Sequence, residues 1–273
     1  MLAMPLFSQS AHALVITPSS SASDLAAALV GPGVTISNAT LKGAANQQGT
    51  FTGGAASGIG IDKGVILTSG DATLAPGPNN SDKATRSLGT LGDTDLNALS
   101  GGTTFDANVL EFDIQTNSGD LFFFYVFASE EYNEYVNSKY NDVFGFFLDG
   151  INIALIPSTS TPVAINTVNG GNPLGTGASN SGLFNNNDPS DGGPFFNIQY
   201  DGFTDVFLAS VTGLGAGTHH LKLAIADTGD RSYDSAVFLQ AGSFTDTKPI
   251  PEPTTLAMLG LGLAGLGLMR RKA

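Results

Sequence analysis

Two short segments stand out in this sequence for side chains that could do chemistry. The first is Ser129-Glu130-Glu131-Tyr132-Asn133-Glu134-Tyr135, continued by Asn141-Asp142. The second is Ala226-Asp227-Thr228-Gly229-Asp230-Arg231-Ser232-Tyr233-Asp234-Ser235. Each crowds carboxylates beside strongly apolar stretches, where like charges are costly unless a cation or an arginine neutralises them. Calcium suits such a group, because it takes about six to eight oxygen ligands from carboxylates, amides and carbonyls. Glu130, Asp142, Asp227 and Asp234 are the expected ligands, since each adjoins an apolar run that would fix its position. Asp230 and Asn133 would complete the shell, and Glu131 is expected to face solvent. The spacing Asp227-x-x-Asp230 with Asp234 beyond is not that of an EF-hand. Turn formation and capping by Asp and Asn, with pairing to Arg231, is the other reading of the same residues.

Catalytic chemistry is less well supported. A secreted hydrolase acting on polysaccharide through Glu130, Asp142 and Asp227 is the alternative, but it needs two carboxylates facing each other about 5–9 Å apart. Adjacency in sequence does not supply that. His219 and His220 point to opposite faces of one strand and cannot easily share a metal; an ordinary edge-strand role is expected for them. There is no nucleophile elbow, no His-Glu-x-x-His and no phosphate loop. The chain has no Cys, which removes disulfides, thiolate nucleophiles and Cys-based zinc sites. It has no Trp, so a sugar-stacking platform would have to come from the six Tyr. The sequence therefore reads as non-enzymatic.

The formal charge is −13 over 273 residues. All 24 acidic residues lie between Asp24 and Glu252, and three of the 11 basic ones, Arg270, Arg271 and Lys272, are at the far end. A surface this acidic repels phosphate backbones and excludes nucleic acid as a partner.

The elements that must hold the two acidic segments read as strands. Leu121 to Ala128 has no polar alternation, so it should be buried on both faces in the middle of a sheet. Val65 to Ser69, Val109 to Gln115, Val143 to Leu148, Ile151 to Ile156, Asp205 to Val211, His219 to Ala226 and Ala236 to Phe244 are further strands. Asp149-Gly150 marks a hairpin. Val34 to Ser37 and Leu41 read as strand pieces, and Ser23-Asp24 as the cap of a short helix ended by Gly31-Pro32-Gly33. Asp71 to Gly102 is a long excursion with one helical turn at Thr94 to Leu99. Asn169 to Pro194 is a second loop, too long for a plain connector. The pattern predicts an all-β fold, an antiparallel β-sandwich of jelly-roll type.

The ends read differently. Residues Met1 to Ala13 lead to Ala11-His12-Ala13, a small-x-small pattern that suits signal-peptide cleavage, although the basic start is missing. Pro251-Glu252-Pro253 precedes the apolar run Leu256 to Met269 and the basic Arg270-Arg271-Lys272. Fourteen apolar residues reach about 21 Å as a helix, against roughly 30 Å of hydrocarbon, so this is a marginal membrane segment. Its basic end should stay cytoplasmic.

This tail resembles the PEP-CTERM sorting signal. The resemblance implies recognition and processing by an exosortase, a membrane protease-transpeptidase, with membrane attachment through the tail until then. It also implies a Gram-negative bacterium that makes exopolysaccharide, with transient inner-membrane anchoring. The segments Phe127 to Val136, Asn141 to Leu148, Leu223 to Asp227 and Asp234 to Leu239 resemble the choice-of-anchor L domain, which implies an extracellular β domain without a defined activity. The expected organisation is an export signal over 1–13, the sandwich over 14–246, a linker over 247–253 and the membrane-spanning sorting tail over 254–273. The expected protein is an exported surface or matrix module, calcium-stabilised, that binds exopolysaccharide or other surface proteins.

Overall fold

The computed structural model describes residues 13–249. The signal region through His12 lies outside them, as do Pro251, Glu252, Pro253 and the basic end.

The chain runs through β1 (Val15–Pro18), α1 (Ala22–Leu29), β2 (Val34–Lys42), β3 (Gln48–Thr52), α2 (Gly54–Ser57), β4 (Gly64–Thr68), α3 (Thr94–Ser100), β5 (Thr104–Thr116), β6 (Leu121–Ser129), β7 (Val143–Leu148), β8 (Ile151–Asn152), β9 (Phe184–Asn186), β10 (Gly202–Thr204), β11 (Phe207–Val211), β12 (His219–Thr228) and β13 (Ser235–Gln240). Among the described residues the strands form two antiparallel sheets. One has the order β1-β3-β4-β13-β6-β10-β9, with β11 also paired to β6; the other is β2-β5-β12-β7-β8. The expected sandwich forms, and with eight and five strands it is larger than an eight-stranded jelly roll.

The core lies between the sheets. Phe123, Tyr125 and Phe127 of β6 project towards Phe144 and Phe146 of β7. Ring centroids are 5.2 Å apart for Phe123–Phe146, 4.9 Å for Tyr125–Phe146 and 4.8 Å for Phe127–Phe144. On the other face of β6, Val126 and Ala128 join Phe51, Ile66, Tyr200, Phe203 and Phe238 in a second apolar cluster. Burial on both faces is what the unbroken apolar run of β6 predicts, and each fully buried large side chain contributes roughly 1.5–3 kcal/mol. Phe124 is the exception and is only partly buried.

Local chemistry sets several boundaries. Ser21, two residues before the expected cap, accepts the Asp24 N–H at 3.3 Å and starts α1. The two expected strand pieces around Ser37 are one strand, β2, with an irregularity between Ser37 and Thr40 where Asn38 has φ 54°. Asp149 and Gly150 both take positive φ, 48° and 82°, as a two-residue hairpin turn requires. The strand expected over Ile151 to Ile156 stops at Asn152, because the Asn152 side-chain oxygen accepts the N–H groups of Phe146 and Ala154 at 3.1 and 3.0 Å. That side chain replaces the ladder. β12 is flanked by β5 and β7, so His219 and His220 are not on an edge strand. They diverge as expected: His219 Nδ1 lies 2.6 Å from Asp149, and His220 Nδ1 lies 3.1 Å from Asp113.

Candidate functional site

Strand register brings the two acidic segments together. Ser129, the end of β6, pairs with Ser235, the start of β13; Ala226 of β12 pairs with Val143, the start of β7. The β6–β7 and β12–β13 connections therefore cross between the sheets at one end of the sandwich. The Glu130 N–H donates to the Asp234 carbonyl at 3.1 Å. Asp142 accepts the Thr228 N–H at 2.9 Å, and its second oxygen lies 2.7 Å from the Ser235 hydroxyl. Asp234 accepts the Thr85 hydroxyl at 2.9 Å and the Arg86 N–H at 2.7 Å. Its carboxylate occupies the space that a side chain on residue 70 would need, so Gly70 permits that approach.

Asp227 is fully buried, and neither of its carboxylate oxygens accepts a hydrogen bond from the described residues. Burial, then the charges of Asp142 and Asp234, hold its carboxyl well above the usual range, although the Ser69 hydroxyl, not hydrogen-bonded to it, pulls the other way. Burial raises Asp142 in the same way. Asp234 is pushed up to about 6, again mainly by burial. Glu131, expected in solvent, is instead buried: its N–H donates to the Ser129 hydroxyl at 2.9 Å in a tight turn, and one carboxylate oxygen has no donor. Burial and the nearby Asp142 and Asp230 push its carboxyl up to about 10. Asp230 is half-buried and accepts the Ser232 N–H at 3.0 Å. Arg231 does not neutralise its own loop: its Nε lies 3.5 Å from Asp106 and its guanidinium lies over the Phe105 ring. Charged groups so enclosed must be protonated or bound to a cation.

Glu130 and Asp227, expected to share one ion, have only partly overlapping surroundings. Asp234 acts on both; beyond it, Glu130 feels Asp201 and Asp82, whereas Asp227 feels Asp142 and Asp106. Asn133 donates to Asn186 and Asp191 at 2.8 Å each, on the Glu130 side, and its own side-chain oxygen is buried without a donor.

Sequence reasoning missed Asp82, Asp188 and Asp201, each of which offers an oxygen within 4.8 Å of the others. They lie in loops far apart in the chain. The only signals were the length of the excursion holding Asp82 and an Asn-rich loop, holding Asp188, too long for a plain connector. It also missed Asp106, which accepts the Leu88, Gly89 and Thr90 N–H groups at 2.8, 3.3 and 2.5 Å and so pins the excursion.

A cleft of about 500 Å³ opens beside these residues, lined by Asn80, Ser81, Asp82, Lys83, Glu134 and Tyr233. Partial desolvation, helped by Asp188 and Asp82, pushes the Glu134 carboxyl up to about 7. The ring of Tyr233 packs on Tyr135 at 4.7 Å, and Tyr135 on Tyr140 at 5.5 Å.

A family model for the Choice-of-anchor L domain matches residues 15–245, and one for the PEP-CTERM protein-sorting motif matches residues 249–272. Comparison with curated proteins and with solved structures finds no match.

Proposed function

This chain belongs to the choice-of-anchor L domain family and carries a PEP-CTERM sorting motif, and from that premise we propose a calcium-stabilised, non-enzymatic module that binds polysaccharide at the cell surface. The sorting motif makes it an exported protein, processed by an exosortase and sorted to the surface. The finer reading places it on a Gram-negative bacterium, held at the inner membrane by residues 254–273 until processing, with residues 14–246 as the folded unit.

One observation carries the calcium reading: Asp227 has two buried oxygens without a donor, near enough to Asp142 and Asp234 to feel their charge. A divalent cation would satisfy those oxygens and offset the repulsion among the carboxylates. The hydrolase alternative loses support from the same geometry. Glu130, Asp142 and Asp227 are each 0% exposed, and a polymer cannot reach them. Tyr135, Tyr140 and Tyr233, partly exposed beside the polar cleft, favour binding over cleavage, because aromatic faces suit sugar rings.

The test is to incubate the full chain with bacterial exopolysaccharides, with calcium or with chelator, and to measure co-sedimentation and release of reducing ends. Calcium-dependent co-sedimentation without new reducing ends is expected. Release of reducing ends that Glu134→Gln abolishes would replace this reading with a hydrolase.

A further inference from the structure

We propose a second divalent-cation site, formed by Asp82, Asp188 and Asp201 with Glu130 beside them, that opens onto the cleft. It shares no ligand with the group around Asp227.

The backbone builds it from three distant segments. β10 pairs with β6 so that Gly202 lies opposite Ser129, which brings Asp201 alongside Glu130. β9 pairs with β10, Gly202 opposite Asn186, and the Asn187 N–H donates to the Asp201 carbonyl at 2.7 Å, so Asp188 arrives next to Asp201. Asn79 then draws in the excursion: its amide nitrogen donates to the Asp201 Oδ1 at 2.6 Å and to the Asn187 carbonyl at 3.2 Å. Gln199 donates to the Asn79 side-chain oxygen at 2.9 Å and to the Ser81 carbonyl at 3.2 Å, which sets Asp82 at the mouth.

The carboxylates of Asp82, Asp188 and Asp201 each present an oxygen within 4.8 Å of the others. Two ligands of one calcium ion, each at about 2.3–2.6 Å, are separated by no more than roughly that. A second observation points to an ion. Asp201 and Glu130 are both 0% exposed, yet the Asp201 Oδ2 and one Glu130 oxygen accept no hydrogen bond from the described residues. The partner oxygen of each is occupied, by Asn79 and by the Ala84 N–H at 3.0 Å. The free oxygens are thus held in place with nothing to receive. Asp188 takes the Ser190 N–H at 2.7 Å and hydroxyl at 3.0 Å, an arrangement that orients a ligating carboxylate. Asp82 is exposed and lines the cleft, so the ion keeps a face to solvent, where an oxygen-rich ligand completes its shell.

Equilibrium dialysis of the full chain in mild detergent against labelled calcium tests this. The variants are Asp82→Ala, an exposed change that leaves folding intact, and Asp227→Asn. Two ions per chain are expected for the wild type, with Asp82→Ala weakening one of them roughly tenfold or more and Asp227→Asn removing only the other. One ion that survives Asp82→Ala and is lost in Asp227→Asn overturns this site and leaves the earlier reading standing. One ion lost in Asp82→Ala and kept in Asp227→Asn supports this site and removes the other. No bound ion in any protein overturns both.

Discussion

Asp227→Asn replaces one carboxylate oxygen by an amide nitrogen at nearly constant volume, and its effect on stability should change sign with calcium. Asp227 is 0% exposed with both oxygens undonated, so in chelator the native side chain is either a repelled charge or a proton-bearing acid. The amide carries no charge, and the variant in chelator should match or exceed the wild type at about pH 8. In calcium the order reverses. An ion at a hundred times its dissociation constant stabilises by about 2.7 kcal/mol. In a domain of this size 1 kcal/mol moves the midpoint by about 2–4 °C, so each bound ion should raise the wild-type midpoint in calcium by about 5–10 °C over that in chelator. Asp227→Asn should lose one such increment and keep the one contributed by the ion at Asp82, Asp188 and Asp201. Four thermal melts followed by circular dichroism are sufficient. Equal wild-type midpoints in calcium and chelator would refute the reasoning, as would a loss in Asp227→Asn that is the same in both.

The pH dependence has a definite sign. Carboxyls raised in the fold, Asp234 to about 6, Asp201 to about 9 and Glu131 to about 10, bind more protons folded than unfolded at any pH between the ordinary carboxylate range and those values. Stability in chelator therefore falls as pH rises through that window, and melts from ~pH 5 to ~pH 8 should show a declining midpoint; a rising one contradicts the assignment. Phe123→Ala removes a ring that stacks on Phe244 at 4.2 Å and meets Phe146 at 5.2 Å, and should cost about 3–5 kcal/mol by urea denaturation. Phe124→Ala, at a partly buried position, should cost clearly less. A chain ending at Lys248 should melt at the full-length midpoint, since β13 ends at Gln240 and the last bridge in the described residues is at Thr245; a broad, early transition would make the tail part of the folded unit.

What was legible in the sequence was whatever acts locally or by continuity. The apolar run of β6 announced a strand covered on both faces, and Asp149-Gly150 announced the turn between β7 and β8. β3, read from Gln48-Gly49-Thr50-Phe51-Thr52, carries no apolar periodicity and is a strand only because β1 and β4 lie on either side. Glu131 looked solvent-facing because nothing in its type reveals that Ser129 will turn it inward. The two acidic segments could be paired from their positions at strand ends. Asp82, Asp188 and Asp201 could not, since their meeting depends on β10 choosing β6 and on Asn79 bridging more than a hundred residues.

The order in which strands leave the synthesis machinery differs from their order in space. β12 and β13 are the last strands among the described residues, yet each fills an interior position, β12 between β5 and β7 and β13 between β4 and β6. Until they arrive, the larger sheet is two unconnected ribbons and so is the smaller one, with their edges unpaired. Pairings of such long reach are slow, because the loop entropy is paid before contacts repay it. A chain threaded outward from its N-terminus therefore stays loose through most of its passage and can cross as an open polymer. It locks only when residues 219–240 emerge, and the Pro251-Glu252-Pro253 motif follows within a dozen residues of that point. Closure of the domain and presentation of its sorting signal thus fall at almost the same moment of export.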